Sequence, residues 1–169
     1  MSQSEASADR VWALIEEIQV AMVVTHDGQG DRLRARPMAA HPAREENAIY
    51  FLTDADAGKV DEVSQNENVC LAFADHQKGR KYVSVTGQAN LSNDRNKIKE
   101  LWSSADKVFW RDENDPAIRV LRVAPNAAEF WESGADVVNY VKIIISSLTG
   151  GEPHLHDNEK VTLARSVRS

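Results

Sequence analysis

One cysteine in 169 residues, Cys70, has no partner for an internal disulfide, so a reducing cytoplasm is the simpler expectation. It falls in the apolar run Val69–Ala74, where a buried and inert thiol is the ordinary outcome. Long hydrophobic runs are missing as well. The longest candidate, Val137–Leu148, is shorter than a membrane span and carries Asn139 and Lys142. The first ten residues are polar, and no apolar stretch follows a basic start, so no secretory signal is read. There is no excess of positive charge either. The net charge is −6, which favours solubility and argues against broad nucleic-acid binding, since that needs a basic face. No Ser-His-Asp or Cys-His arrangement has usable context, and no Gly-rich dinucleotide loop occurs. His154-Leu155-His156 has no third ligand nearby, so no metal is expected.

What remains is an ordinary globular composition, 42 % apolar and 27 % charged, of a length that suits one domain with its own core. Met1–Ala6 and Glu152–Ser169 read as flexible polar tails. Ser7 is a candidate cap for a helix to about Ile18, with Val11, Leu14, Ile15 and Ile18 on one stripe. Gln19–Thr25 is an apolar, β-branched run, expected as a strand buried on both faces. The turn-rich stretch His26–Asp31 links it to a strand over Leu33–Ala40. Ala48–Thr53 reads as a strand, followed by a short helix from Lys59 to about Ser64. Val69–Ala74 has two apolar faces, which again implies burial on both.

The clearest alternation lies in the next strand, with Tyr82, Ser84, Thr86 and Gln88 on one face and Val83, Val85, Gly87 and Ala89 on the other. A helix starts at Asn93 or Asp94 and carries Ile98, Leu101 and Trp102 on its stripe. Asp106–Asp115 is expected as a loop, and Trp110 is its unusual member. Val120–Val123 and Ala127–Trp131 supply the last strand. About six strands with short turns and no βαβ alternation predict a mainly β (α+β) fold, a closed or split antiparallel barrel with flanking helices.

The organising stretch is Asp31–Val63. Residues two apart on a strand share a face, so Arg34, Arg36 and Met38 oppose Leu33, Ala35 and Pro37. Two arginines on one face, Thr53 at a strand end and Lys59 at a helix start make an anion cradle. Guanidinium and ammonium groups bind phosphate through charge-assisted hydrogen bonds, and a helix N-terminus adds N–H donors.

Arg36-Pro37-Met38, Ile49-Tyr50-Phe51-Leu52-Thr53, Ala57-Gly58-Lys59-Val60 and Tyr82-Val83-Ser84-Val85-Thr86-Gly87 occur in one order and spacing. As a set they resemble the pyridoxamine 5'-phosphate oxidase-like flavoproteins, and within them the general stress protein 26-like branch, over roughly Ala8–Glu132. The resemblance implies a six-stranded Greek-key split barrel, a homodimer holding FMN between subunits, and two-electron redox capacity. The deazaflavin F420 or FAD is the alternative cofactor, and NADH or NADPH a candidate electron donor.

It also implies the site. Arg36 lies beside the flavin phosphate and ribityl chain, while Pro37 and Met38 run along the ring edge by their backbone. Arg34 shares that face, though the family pattern does not demand an arginine there. Leu52 and Thr53 form the phosphate-binding strand end, with Lys59 at the helix start. Ala57 and Gly58 depart from the serine and second polar or basic residue common before this lysine, so the phosphate grip is either weaker or rests more on Arg36 and backbone N–H groups. Tyr82 and Ser84 lie near the ring system, with a cross-strand surface pair as the plain alternative for Ser84. Trp110 is the flavin neighbour, an aromatic from one subunit over the other's ring; Trp102 reads as core and Trp131 as packing at the barrel or dimer seam.

After Trp131 the chain reads Glu-Ser-Gly-Ala-Asp and lacks the Arg-x-His segment with which true pyridoxamine 5'-phosphate oxidases grip substrate phosphate. Two other readings stay open: a flavin-binding stress protein without turnover, and haem binding through His26, His41 or His76, each in a turn.

Overall fold

The computed structural model describes residues 3–27, 32–55, 63, 66–75, 80–132 and 159–163. Lys59 and, apart from Val63, its expected helix lie outside the described residues, as do His76, Val137–Leu148, His154 and His156. Helix α1 (Gln3–Ile18) precedes strands β1 (Val20–His26), β2 (Leu33–Ala39), β3 (His41–Ala43) and β4 (Ala48–Asp54). Strands β5 (Asn68–Asp75) and β6 (Lys81–Ser92), helix α2 (Arg95–Leu101), β7 (Ile118–Glu132) and β8 (Glu159–Thr162) complete the order. The strands form one antiparallel sheet in the order β2-β1-β5-β6-β7-β4-β3, with β8 paired to β7. Across its ends β2 and β4 bring Cα atoms within 8 Å without pairing. The sheet is therefore curled into a split barrel.

Why these stretches become these elements follows from the residues. The stripe Val11, Leu14 and Ile15 is fully buried, and Trp12 is 4 % exposed, so α1 plugs the barrel with its apolar face. Three ion pairs strap its polar face down: Arg10 to Glu132 and Lys81 to Glu17, the latter at 2.7 Å, tie it to the sheet, and Asp9 to Arg44 ties it to the 3-10 turn after β3. Gln19, at φ 65°, ends the helix in the left-handed region and turns the chain into β1. Asp94 caps α2 by accepting from the Asn96 and Lys97 amides.

Two apolar layers result. The inner one fills the barrel with Val23, Phe51, Leu71, Phe73, Val83 and their neighbours. The outer one lies under α2, where Ile98 packs on Tyr50, Leu52, Ile118 and Val120. Lys97 of α2 sits 4.7 Å over the Tyr50 ring and pairs with Glu46, which also accepts from the Tyr50 hydroxyl.

The structure corrects several expectations. There are eight strands among the described residues rather than six, because the three-residue β3 and the four-residue β8 also pair. The first helix begins at Gln3, with Ser7 buried inside it and not at its cap. Residues 159–162, expected within a flexible tail, pair with β7. The last strand is a single 15-residue ladder in spite of Pro125. Thr86 pairs with Ala127 but Gly87 with Pro125, so Asn126 is bulged out, and the proline sits where pairing is already irregular. Gly87 is required there: a Cβ would stand 2.4 Å from the Ala124 carbonyl oxygen.

β1 and β5 are not buried on both faces. Ala21 and Val23 point inward, while Val20 and Met22 are 51 % and 40 % exposed on the outer side. Likewise Leu71 and Phe73 are buried, whereas Ala72 and Ala74 are exposed and Cys70 is only half-buried.

Candidate functional site

The face assignment of β2 holds. Arg34, Arg36 and Met38 pair across the strands with Thr25, Val23 and Ala21, which line the barrel interior, and Met38 joins the inner core. Leu33, Ala35 and Pro37 face outward and are exposed. Arg36 is half-buried, and its guanidinium donates to the Thr25 hydroxyl at 3.2 Å. Thr25 itself is 1 % exposed, a hydroxyl at a position where the alternation with Ala21 and Val23 would place an apolar group. That misfit in an otherwise apolar run is the signal that could have singled it out.

On β4, Ile49 and Phe51 belong to the inner core, so Thr53, two residues on, faces the same way and is 2 % exposed. Thr25 on β1, Arg36 on β2 and Thr53 on β4 thus stand on inner faces, and β2 and β4 approach each other across the split. Of the three, Arg36 and Thr25 are in contact, and a guanidinium with hydroxyls is the type of donor that an oxyanion takes.

The other predicted residues divide between two places. Leu52 points outward into the layer under α2, so towards the inner side it offers only its backbone. Tyr82 and Ser84 are half-buried on the outer face, opposite Ala74 and Ala72 of β5 and Trp131 and Glu129 of β7. The Ser84 hydroxyl lies 3.6 Å from the Cys70 sulfur. A shelf of Leu33, Ala35 and Pro37 on β2, Val20 and Met22 on β1, and Ala72 and Ala74 on β5 therefore continues to Tyr82. Its members are mostly small, and its large members are exposed.

Trp110 lies on the outer side as well. It follows a 3-10 turn, Ser104–Val108, closed by a reciprocal cap between Ser103 and Asp106. Its indole N–H donates to the Asp54 carboxylate at 3.3 Å, and its ring packs against Trp102 and Phe109 at centroid distances of 6.4 and 5.7 Å. Trp102 is half-buried at the edge of the α2 layer rather than deep in the core. Asp54 was not singled out from sequence; a carboxylate directly after a phosphate-type threonine is the signal it carries. Half-burial pushes the His41 imidazole below its ordinary value, and the nearby Asp106 carboxylate opposes the shift.

A family model described as pyridoxamine 5'-phosphate oxidase like matches residues 6–154. The chain belongs to the pyridoxamine 5'-phosphate oxidase-like family. Within it the resemblance is to general stress protein 26. That protein of Bacillus subtilis is 27 % identical over 88 residues, which cover 51 % of this chain and 63 % of the relative. The match therefore spans less than two thirds of that relative's length. General stress protein 26 of Bacillus anthracis superposes with a TM-score of 0.64 at 18 % identity, over 74 % of this chain and 97 % of that one. The general stress FMN/FAD binding protein of Xanthomonas citri gives 0.65 at 21 %, over 79 % and 93 %. At such identities the likeness to solved structures shows the shared fold.

Proposed function

We propose that this protein binds FMN, with the phosphate gripped at the Arg36 end of the barrel, and serves as a flavin-dependent oxidoreductase of the general stress protein 26 type. The observation that carries the reading is the half-buried Arg36 guanidinium donating to the buried Thr25 hydroxyl, with Thr53 on the facing strand. Family membership and the flavin named for the Xanthomonas citri protein support it. Met38 and Pro37 follow Arg36 along β2 and offer backbone groups to a ring edge. Flavin supplies two-electron transfer when bound; this chain's own part is to hold, orient and shield it.

The same reading takes two copies of the chain. The outer shelf exposes Leu33 at 62 %, Val20 at 51 % and Met22 at 40 %, apolar area that a second barrel would cover. Efficient oxidation of pyridoxamine 5'-phosphate is not expected, because the Arg-x-His grip is missing after Trp131.

The test is a visible spectrum of the purified protein with and without added FMN, repeated for Arg36→Ala and Lys59→Ala. A yellow wild type that Arg36→Ala bleaches supports the reading, and a colourless protein to which no FMN can be made to stick sinks it. Turnover with NADH or NADPH separates an enzyme from a flavin store, and competition with F420 or FAD identifies the cofactor.

A further inference from the structure

The end of β4 is two-sided. Thr53 faces inward and Asp54, the next residue, faces the opposite way, as alternation along a strand requires. Asp54 accepts from the Trp110 indole at 3.3 Å, and the Ala55 amide, one residue further, donates to the Ala117 carbonyl at 2.8 Å. The segment that carries the aromatic turn is thus moored twice to the strand end that carries Thr53. The turn is built to be stiff. Asp106 accepts from both the amide and the hydroxyl of Ser103, and its carbonyl accepts from the amides of Phe109 and Trp110. On this rigid base Val108 and Phe109 project into solvent, 82 % and 76 % exposed, while Trp110 is half-buried against Trp102.

We propose that Asp54 is a positioning residue. Its carboxylate latches Trp110 and so fixes the aromatic turn relative to the anion-binding end of β4. In this arrangement Trp110 is an anchor, and Val108 and Phe109 are the apolar surface that the latch holds out. The inference rests on the flavin reading for its functional consequence, but the latch is a property of the chain itself. Thr53 and Asp54 share one peptide, so an anion held at the Thr53 hydroxyl and the Trp110 indole held at the Asp54 carboxylate act on the same backbone. An Asn at position 54 still accepts from an indole N–H; an Ala does not.

The experiment uses the full chain labelled with 5-fluorotryptophan, Trp110 being assigned by Trp110→Phe, in the wild type, Asp54→Ala and Asp54→Asn. FMN and, separately, inorganic phosphate are titrated while the fluorine spectrum and the flavin absorbance are followed. Expected are a shift of the Trp110 resonance on FMN addition and FMN binding about five- to tenfold weaker in Asp54→Ala. Asp54→Asn should return binding to within about twofold of wild type, with the far-ultraviolet circular dichroism unchanged in both. Equal binding by Asp54→Ala and wild type, or an Asn variant as impaired as the Ala variant, overturns the proposal. A wild type that binds no FMN overturns the functional reading instead. Amide exchange then judges the latch alone: the Phe109 and Trp110 amides should exchange at least tenfold faster in Asp54→Ala, and unchanged rates overturn it.

Discussion

The outer surface of the curled sheet is treated in two ways. Over β4 and β7 it is roofed by the chain itself: α2 and the tryptophans beside it cover Tyr50, Leu52, Ile118 and Val120, and Ile98 has no exposed surface. Over β1, β2 and β5 the same kind of face is left open, with Val20, Met22 and Leu33 in solvent. Apolar character does not separate the two halves, since Tyr50, Leu52, Ile118 and Val120 stand on one and Val20, Met22 and Leu33 on the other. Among the described residues, the difference lies in whether a later segment returns to cover them. That teaches how to read an apolar strand face: alternation says that it wants a cover, not who supplies it.

Breaking the roofed half should cost most. Ile98→Ala leaves a cavity between α2 and the sheet, and a loss of about 2–5 kcal/mol is expected for such a truncation, read from the denaturant midpoint. A loss under about 0.5 kcal/mol would mean that α2 is not a working part of the core. A gentler attack on the same roof removes its cap. Asp94→Ala takes away an acceptor for two amides of α2 and should cost about 1 kcal/mol by the same measurement.

The open half should answer differently. Met22→Glu changes a side chain 40 % exposed in the single chain, so intrinsic stability should move by less than about 0.5 kcal/mol. If a second copy covers the shelf, the same substitution buries a charge at the interface, and light scattering should show dimers giving way to monomers. A variant that keeps the wild-type mass refutes the shelf as a docking face. Loss of fold in the monomer would instead show that the shelf is already covered from within the chain.

Much of this was legible in advance, and the failures have physical reasons. The facing of Arg34, Arg36 and Met38 against Leu33, Ala35 and Pro37 needed only the two-residue period, as did the Tyr82 strand. The start of α2 was readable as Asn93 or Asp94, and the fold uses Asp94. The continuity of β7 was not, because Ala124-Pro125-Asn126 carries breaker chemistry that a bulge and the close approach at Gly87 absorb. Pairing of residues 159–162 was hidden because the strand is short and its partner is distant in sequence. At the site, Arg36 and Thr53 stood out by residue type. Thr25 and Asp54 did not, since their contacts with Arg36 and Trp110 are made only in the folded chain.

The smallest effect is expected at the border between the closed half and the edge of the sheet. His41 on β3 pairs with Tyr50 of β4, and burial lowers its pKa while Asp106 of the aromatic turn works against that shift. A base whose folded-state value lies below its ordinary 6.5 binds fewer protons folded than unfolded between the two values. Its contribution to stability is therefore fully present above pH 6.5 and is lost as pH falls through the lowered folded-state value. Denaturant midpoints taken downward from pH 7 should show wild type losing stability there more steeply than His41→Gln, which cannot take up the proton. Asp106→Asn should steepen the wild-type slope, because it removes the charge that now steadies a protonated imidazole. Parallel curves for wild type and His41→Gln would show that the imidazole is as well solvated in the folded chain as in the unfolded one, and that the roofed half ends before β3.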